Sequence, residues 1–399
     1  MLHARFVAFG CVAVGTLALA TVWSRAAFAK AEIKITDPRS VVMIVIRDSN
    51  ELGFMDIKSH KMIGTVFLGN NVNPHMVMMS PDGRYVVTGG TRANKAYIVD
   101  TATLQLVKVI PVDFAPEHLA FSPDGRWYYQ GNPEGDSISV IDMVSLTKVK
   151  TITGFKEPLN VTFTPDGSKA YVGNYGAHWL GVVDVRRHEL MKKIELAPTP
   201  AFAKLDPDRY YADIKGVNVA MFSPDGKYLY AADGDLDVVS VIDPREDKVI
   251  KVMRVGKAPW RIYMGHDGKY AITPNNGDQT ISIIDLKANK VAATLEAGPD
   301  MVGVNFAGGK AFVISHSTGF VYVYNMETLR PAGRIKIGTN VNLETATTDT
   351  ADQQLFLADS TENAVVIIDA KTEKVEKIFN VGLFPWGTHI MDSKDNYCH

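Results

Sequence analysis

His75, Glu117 and His118 are the side chains in this sequence whose types and spacing best suit chemistry. A register argument brings them together. A Pro-Asp-Gly type of turn recurs along the chain, with its aspartate at Asp82, Asp124, Asp166, Asp225 and Asp267. Counting seven residues back from the turn position gives His75, Glu117, Leu159, Asn218, Trp260 and Met301. The next residue in each unit is Met76, His118, Asn160, Val219, Arg261 or Val302. Trp386 holds the matching place in a final strand, and His389 lies three residues beyond it. If every unit gives one innermost strand to a central channel, these positions form a ring. His75, Glu117 and His118 then converge near one rim, with His389 in the neighbouring strand. Imidazole and carboxylate together are a sound ligand set for zinc, copper or iron. The expectation is a transition metal or haem iron at the channel mouth, with His75, His118 and His389 as metal ligands and His75, Glu117 and His118 as cofactor contacts. The alternative is a solvated rim that merely tolerates polar side chains, and no H-E-x-x-H spacing within one element adds to the sharper reading.

Other chemistries lack their residues. No G-x-S-x-G nucleophile turn occurs, and no G-x-G-x-x-G phosphate cradle. His178, His188 and His266 fall in loops or turns and are expected at the surface, and His316 in a turn between strands. Met76, Met78 and Met79 could serve as soft copper ligands, but alternate residues of a strand face opposite sides, which favours packing.

The elements that would position the ring follow from the same repeat. The turn aspartates are spaced by 42, 42, 59 and 42 residues. A second landmark is an apolar strand closing in Asp or Asn, as in Tyr97-Ile98-Val99-Asp100, Ser139-Val140-Ile141-Asp142 and Val366-Ile367-Ile368-Asp369. With a weak first copy at Gly53-Phe54-Met55-Asp56, there are eight closing positions. Each unit holds four β-type stretches rich in Val, Ile, Tyr and Phe, the length of one propeller blade. The fold expected is all-β, an eight-bladed β-propeller, with seven blades as the runner-up. The first unit, from Val41, lacks an innermost strand, and Phe384 to Met391 is an innermost strand with nothing after it. Pairing the two would close the ring and leave no open sheet edge. The long interval carries an insertion, Ala197 to Asp213, read as a contact loop presenting Phe202, Tyr210 and Tyr211 to a partner.

Bulk properties narrow the setting. The chain has 399 residues and a net charge of −2, which gives no basis for nucleic acid or an anionic membrane as partner. Residues 1–29 read as a secretory signal ending in Ala27-Phe28-Ala29, which implies export to a periplasm or an equivalent compartment and no membrane insertion after cleavage. An uncleaved anchor is the alternative. Residues 30–391 would form the propeller and 392–399 a tail. Cysteine occurs at Cys11 and Cys398, so the mature chain has no internal disulfide. The tail ends Asp395-Asn396-Tyr397-Cys398-His399, similar to a Cys-x-x-Cys-His haem motif with aspartate in place of the first cysteine. Docking on a partner through Cys398 and His399, or a mixed disulfide, is expected rather than covalent haem.

Across residues 41 to 391 the units resemble the YVTN family of β-propellers, on their Pro-Asp-Gly turns and Val-Ile-Asp strand ends. A narrower likeness lies in Ile46-Arg47-Asp48, Gly53-Phe54-Met55-Asp56 and His75, which resemble the opening of the cytochrome d1-type propeller. That resemblance implies eight blades and assigns His75 the place of a haem-iron ligand. No Cys-x-x-Cys-His is present, and the family's distal histidines have no match where Asn218, Val219, Trp260 and Arg261 stand, which argues against nitrite reduction. The leading functional expectation is a non-catalytic subunit of a periplasmic multi-haem redox complex in nitrogen or amine metabolism, similar to the propeller subunits of quinohaemoprotein amine dehydrogenase and hydrazine synthase. A haem-containing or other redox protein would be its partner. The alternative is a d1-type haem-binding oxidoreductase or maturation protein, and a lactonase-like hydrolase is a distant third.

Overall fold

The computed structural model describes residues 35–196 and 215–395. Its strands form eight sheets of four strands each. Seven blades are consecutive along the chain, with innermost strands at Pro74–Met79, Leu119–Phe121, Pro158–Phe163, Val217–Phe222, Tyr263–Met264, Met301–Ala307 and Leu343–Thr348. These are blades 2 to 8. Blade 1 is composite: Val41–Ile46, Glu51–Asp56 and Lys61–Phe67 are joined by Pro385–Ile390 as the innermost strand. The expected eight-bladed ring, closed by pairing the two ends of the repeat region, is what forms. Val42 faces Ile390 and Ile44 faces Thr388 in the antiparallel register. Helical structure among the described residues is confined to the short 3-10 turns Pro38–Ser40 and Pro133–Gly135, and no described helix is long and apolar enough to cross a membrane.

The strand Val41–Ile46 shows why the ring holds. All six of its residues are buried, because blades pack on both its faces. Side chains alternate between faces along a strand. Val41, Met43 and Val45 accordingly enter one cluster with Val77, Met79 and Val86 of blade 2. Val42, Ile44 and Ile46 enter another with Phe356, Val365 and Ile367 of blade 8. An unbroken apolar run is therefore two alternating sets, each filling one interblade seam.

The recurring turn has a single construction. Ser80 Oγ donates to Asp82 Oδ1 (2.5 Å), and the same carboxylate accepts from Arg84 N (3.0 Å). Ser122 with Asp124, Thr164 with Asp166 and Ser223 with Asp225 repeat it. Gly83, at φ +71°, supplies the left-handed residue the turn needs.

Blades are also stitched by tyrosines. Tyr129 OH lies 2.7 Å from His188 Nδ1 in the next blade, Tyr171 OH donates to Asp247 (2.5 Å), and Tyr230 OH donates to Asn289. His188, expected at the surface, is buried in this role, since its turn position, like those of Asp247 and Asn289 in the next two blades, faces a tyrosine of the preceding blade. If closure is the source of stability, Ile44→Ala should lower unfolding free energy by about 2–5 kcal/mol in urea melts. Phe379→Ala, on an exposed outer strand, should change it by less than about 0.5 kcal/mol.

Candidate functional site

The start of each innermost strand does not pair regularly. In blade 2 the register jumps between Pro74 and Val77, leaving His75 and Met76 out of the ladder. The same irregularity spans Leu159 and Asn160 in blade 4, Asn218 and Val219 in blade 5, and Glu344 and Thr345 in blade 8. In blade 1 it releases Trp386. Such bulges re-aim side chains. Here they turn His75, Leu159, Asn218, Glu344 and Trp386 into a cavity of about 680 Å3 at the channel mouth. Blades 3 and 6 contribute Glu117, His118, Trp260 and Arg261 from just before their innermost strands. Close packing fixes these bulges from behind. A Cβ on Gly131 would lie 2.6 Å from the Leu159 carbonyl, and one on Gly173 2.8 Å from that of Asn218.

The ring read from spacing thus exists, with one displacement and several additions. Blade 7 presents Val302, while Met301 is fully buried. Its turn is a tight Gly308-Gly309 hairpin, so a count from a four-residue turn lands one position early. Glu344 was not anticipated. Blade 8 writes the turn as Asp349-Thr350-Ala351-Asp352, and Asp349 N donates to Gln354 O (2.9 Å) as Ser80 N does to Tyr85 O (2.8 Å). Counted from Ala351, seven back is Glu344. Arg47 lies outside the repeat register altogether. Its Cζ sits 4.4 Å from the Trp386 ring centroid, and its Nε donates to Asn73 Oδ1 (3.1 Å).

The cavity wall carries flat aromatics and cations. His75 and Trp386 have ring centroids 5.3 Å apart, and Arg261 Cζ is 5.0 Å from the Trp260 ring. Burial, with the charges of Arg47 and Arg261 adding to it, holds the His75 imidazole down at about 3. Burial pushes the Glu117 carboxyl up to about 7 against the pull of the same two arginines. The burial of Arg47 itself lowers its pKa. His75 Nδ1, Trp386 Nε1 and both amide atoms of Asn218 are buried without a hydrogen-bond partner among the described residues. Buried polar groups are normally satisfied, so such orphans around one cavity call for a ligand or water. The Glu344 carboxylate, whose charge is felt by Arg47, accepts from Ser360 Oγ (2.6 Å) and lies 3.4 Å from His316 Nδ1, a bond that raises the His316 pKa.

The remaining expected residues separate. His389 lines a small cavity beneath the main one with His75 and Thr388, and burial holds it down at about 3. His178 Nδ1 lies 2.9 Å from the buried Asp233. Among the described residues, the three His or acidic side chains whose ligand atoms lie within 4.8 Å of one another are His178, Asp233 and Asp235, not His75, His118 and His389. His266, expected at the surface, is nearly buried between Asp352 and Asp395. Phe202, Tyr210, Tyr211, Cys398 and His399 lie outside the described residues. The flanking Lys215 bonds Glu157 at 2.8 Å on the cavity side, where Glu157 lines the mouth.

The fold and site define an eight-bladed propeller with a polar, aromatic-walled channel mouth. No family model matches the chain. No curated protein sequence matches it either. Solved structures do. The dihydro-haem d1 dehydrogenase NirN, in complex with DHE, superposes with a TM-score of 0.74 at 19% identity over 94% of this chain and 78% of that one. The hydrazine synthase of Kuenenia stuttgartiensis gives 0.55 at 22% identity, covering 78% of this chain and 97% of that chain. A functionally unknown protein from Desulfotomaculum acetoxidans gives 0.55 at 12% identity, with 88% and 98% covered. At these identities the likeness is one of fold.

Neutral burial has a pH consequence. His389 is held at about 3 when folded and titrates near 6.5 when unfolded, so its contribution to stability is intact above about pH 6.5. That contribution is lost as pH falls toward the folded value, by about 1.4 kcal/mol per pH unit. The buried His75 adds a slope of the same sign, so in urea melts of the ligand-free chain between pH 7 and 5 His389→Gln should reduce the pH dependence by about 1.4 kcal/mol per pH unit without removing it.

Proposed function

We propose that this chain binds a planar, anionic tetrapyrrole of the d1-haem kind at the channel mouth, with His75 as the iron ligand. The observation that carries the reading is the buried, unpartnered His75 nitrogen in a cavity walled by two tryptophans and flanked by two arginines. A neutral imidazole is the form that ligates iron, and the depressed His75 pKa keeps it neutral across the physiological range. Trp260 and Trp386 offer flat apolar faces, and Arg47 and Arg261 offer cations for carboxylates at the ligand's edge. A volume of about 680 Å3 lies within the usual range for cofactor sites. When bound, the group would supply a redox-active iron. The chain's own residues would orient it, exclude water from one face, and hold a proton at the Glu117 carboxyl near neutrality. The likeness to NirN, named for its action on dihydro-haem d1, supports this choice among tetrapyrroles.

A second reading is favoured by a different observation. The hydrazine synthase likeness covers 97% of that chain, which supports a propeller subunit of a multi-protein complex. On this reading the complex is a multi-haem redox one, and the signal-like residues 1–29 support a periplasm or equivalent compartment. The two readings part on purification from the native source. A coloured propeller without other chains supports the first, and a colourless propeller with a stoichiometric haemoprotein supports the second. For the first, titration with haemin should give a saturable Soret band, and His75→Ala should weaken binding at least tenfold, about 1.4 kcal/mol. Equal affinity with an unshifted band would remove His75 from the site.

A further inference from the structure

The lower face of the ring, opposite the cavity, is uneven. In blades 2 to 5 each turn carries a proline, and the turn glycine of the next blade packs on it, as Gly125 does on Pro81 and Gly226 on Pro165. That proline's place is taken by His266 in blade 6 and Thr350 in blade 8, and blade 7 has the short Gly308-Gly309 turn. The residues that follow the closing strand land on these three blades. Asp395 is fully buried and accepts from Phe306 N (2.9 Å), Asn305 Nδ2 (3.3 Å) and the Thr348 hydroxyl. Its other oxygen lies 2.7 Å from His266 Nε2. His266 Nδ1 lies 2.9 Å from Asp352 Oδ1, and Lys394 Nζ 3.5 Å from the same carboxylate. An imidazole facing a carboxylate from each nitrogen donates at both only when protonated.

We infer that residues 392–395 are a pH-sensitive latch: His266, as imidazolium, ties Asp395 to Asp352 and so holds the closing strand Pro385–Ile390 against blades 6 to 8. That strand carries Trp386, so the latch on the lower face steadies a wall of the cavity on the upper one. The groups facing His266 are Asp352, Asp395 and Lys394, with Asp267 and Lys310 along the same groove. Lys310 is paired with Glu373 at 2.6 Å. Burial works against the imidazolium, as does Lys394, but the Asp395 bond and the charges of Asp395 and Asp352 outweigh them and raise its pKa. A raised folded pKa means the stabilisation is fully present below about pH 6.5 and is lost as pH rises through the folded value.

Hydrogen exchange of the full chain, corrected for intrinsic rates, tests this at the amides of residues 42–46 and 385–390. The ratio of wild-type to His266→Gln protection, in which the opposing titration of the buried His389 and His75 cancels, should be at least tenfold greater at pH 5.5 than at pH 8.5. Asp395→Asn should lose the same factor at pH 5.5. A ratio that does not change with pH overturns the latch, as does unchanged protection in Asp395→Asn. Should Asp395→Asn fail to fold, Asp352→Asn leaves the buried contacts intact and should reduce the pH response at least threefold. An unreduced response would overturn the inference equally.

Discussion

The pairing of Pro385–Ile390 with Val41–Ile46 is the constraint on which the rest depends. A propeller blade buries its faces only against neighbours, so an open array would leave one seam wet and two sheet edges unpaired. Closure makes blade 1 from both ends of the repeat region. It also assembles the site, because Trp386 arrives on the last strand and Arg47 on the turn after the first, and they meet at 4.4 Å. Neither the aromatic wall nor the contact of His75 with Trp386 exists before the ring shuts.

The channel mouth results from a backbone irregularity repeated around that ring. Regular strands would point alternate side chains into the interblade seams. The bulge at the head of the innermost strands frees residues from the ladder, and glycines such as Gly131 and Gly173 let the preceding blade press against their carbonyls. What stands at those positions is then free to differ from blade to blade. Here it is His, Glu, Leu, Asn, Trp, Val, Glu and Trp in ring order, and burial rather than ion pairing sets the protonation of His75 and Glu117.

The fold was legible because the turns of blades 2 to 6, the eight strand-closing positions and the missing innermost strand of the first unit all point to the same ring. The site was legible wherever the turn kept its Asp-Gly pair. Glu344 was hidden by a turn that keeps the hydrogen bonds but not the letters, and Met301 stood in for Val302 because a hairpin two residues long shifts the count. Arg47 was invisible as a site residue because it packs behind the cavity residue Trp386 from a turn off the repeat register. His188 and His266 looked like surface residues since a turn position alone does not show what a neighbouring blade, or a segment far along the chain, brings against it.

The central claim is that His75 ligates a haem iron in this cavity. Pulsed electron paramagnetic resonance on haem-loaded protein with 15N-labelled histidine addresses it without relying on affinity or activity. The result expected is a strong 15N coupling to the iron that disappears in His75→Ala and persists in His389→Gln. A spectrum without histidine coupling, or one that His75→Ala leaves unchanged, would contradict the account.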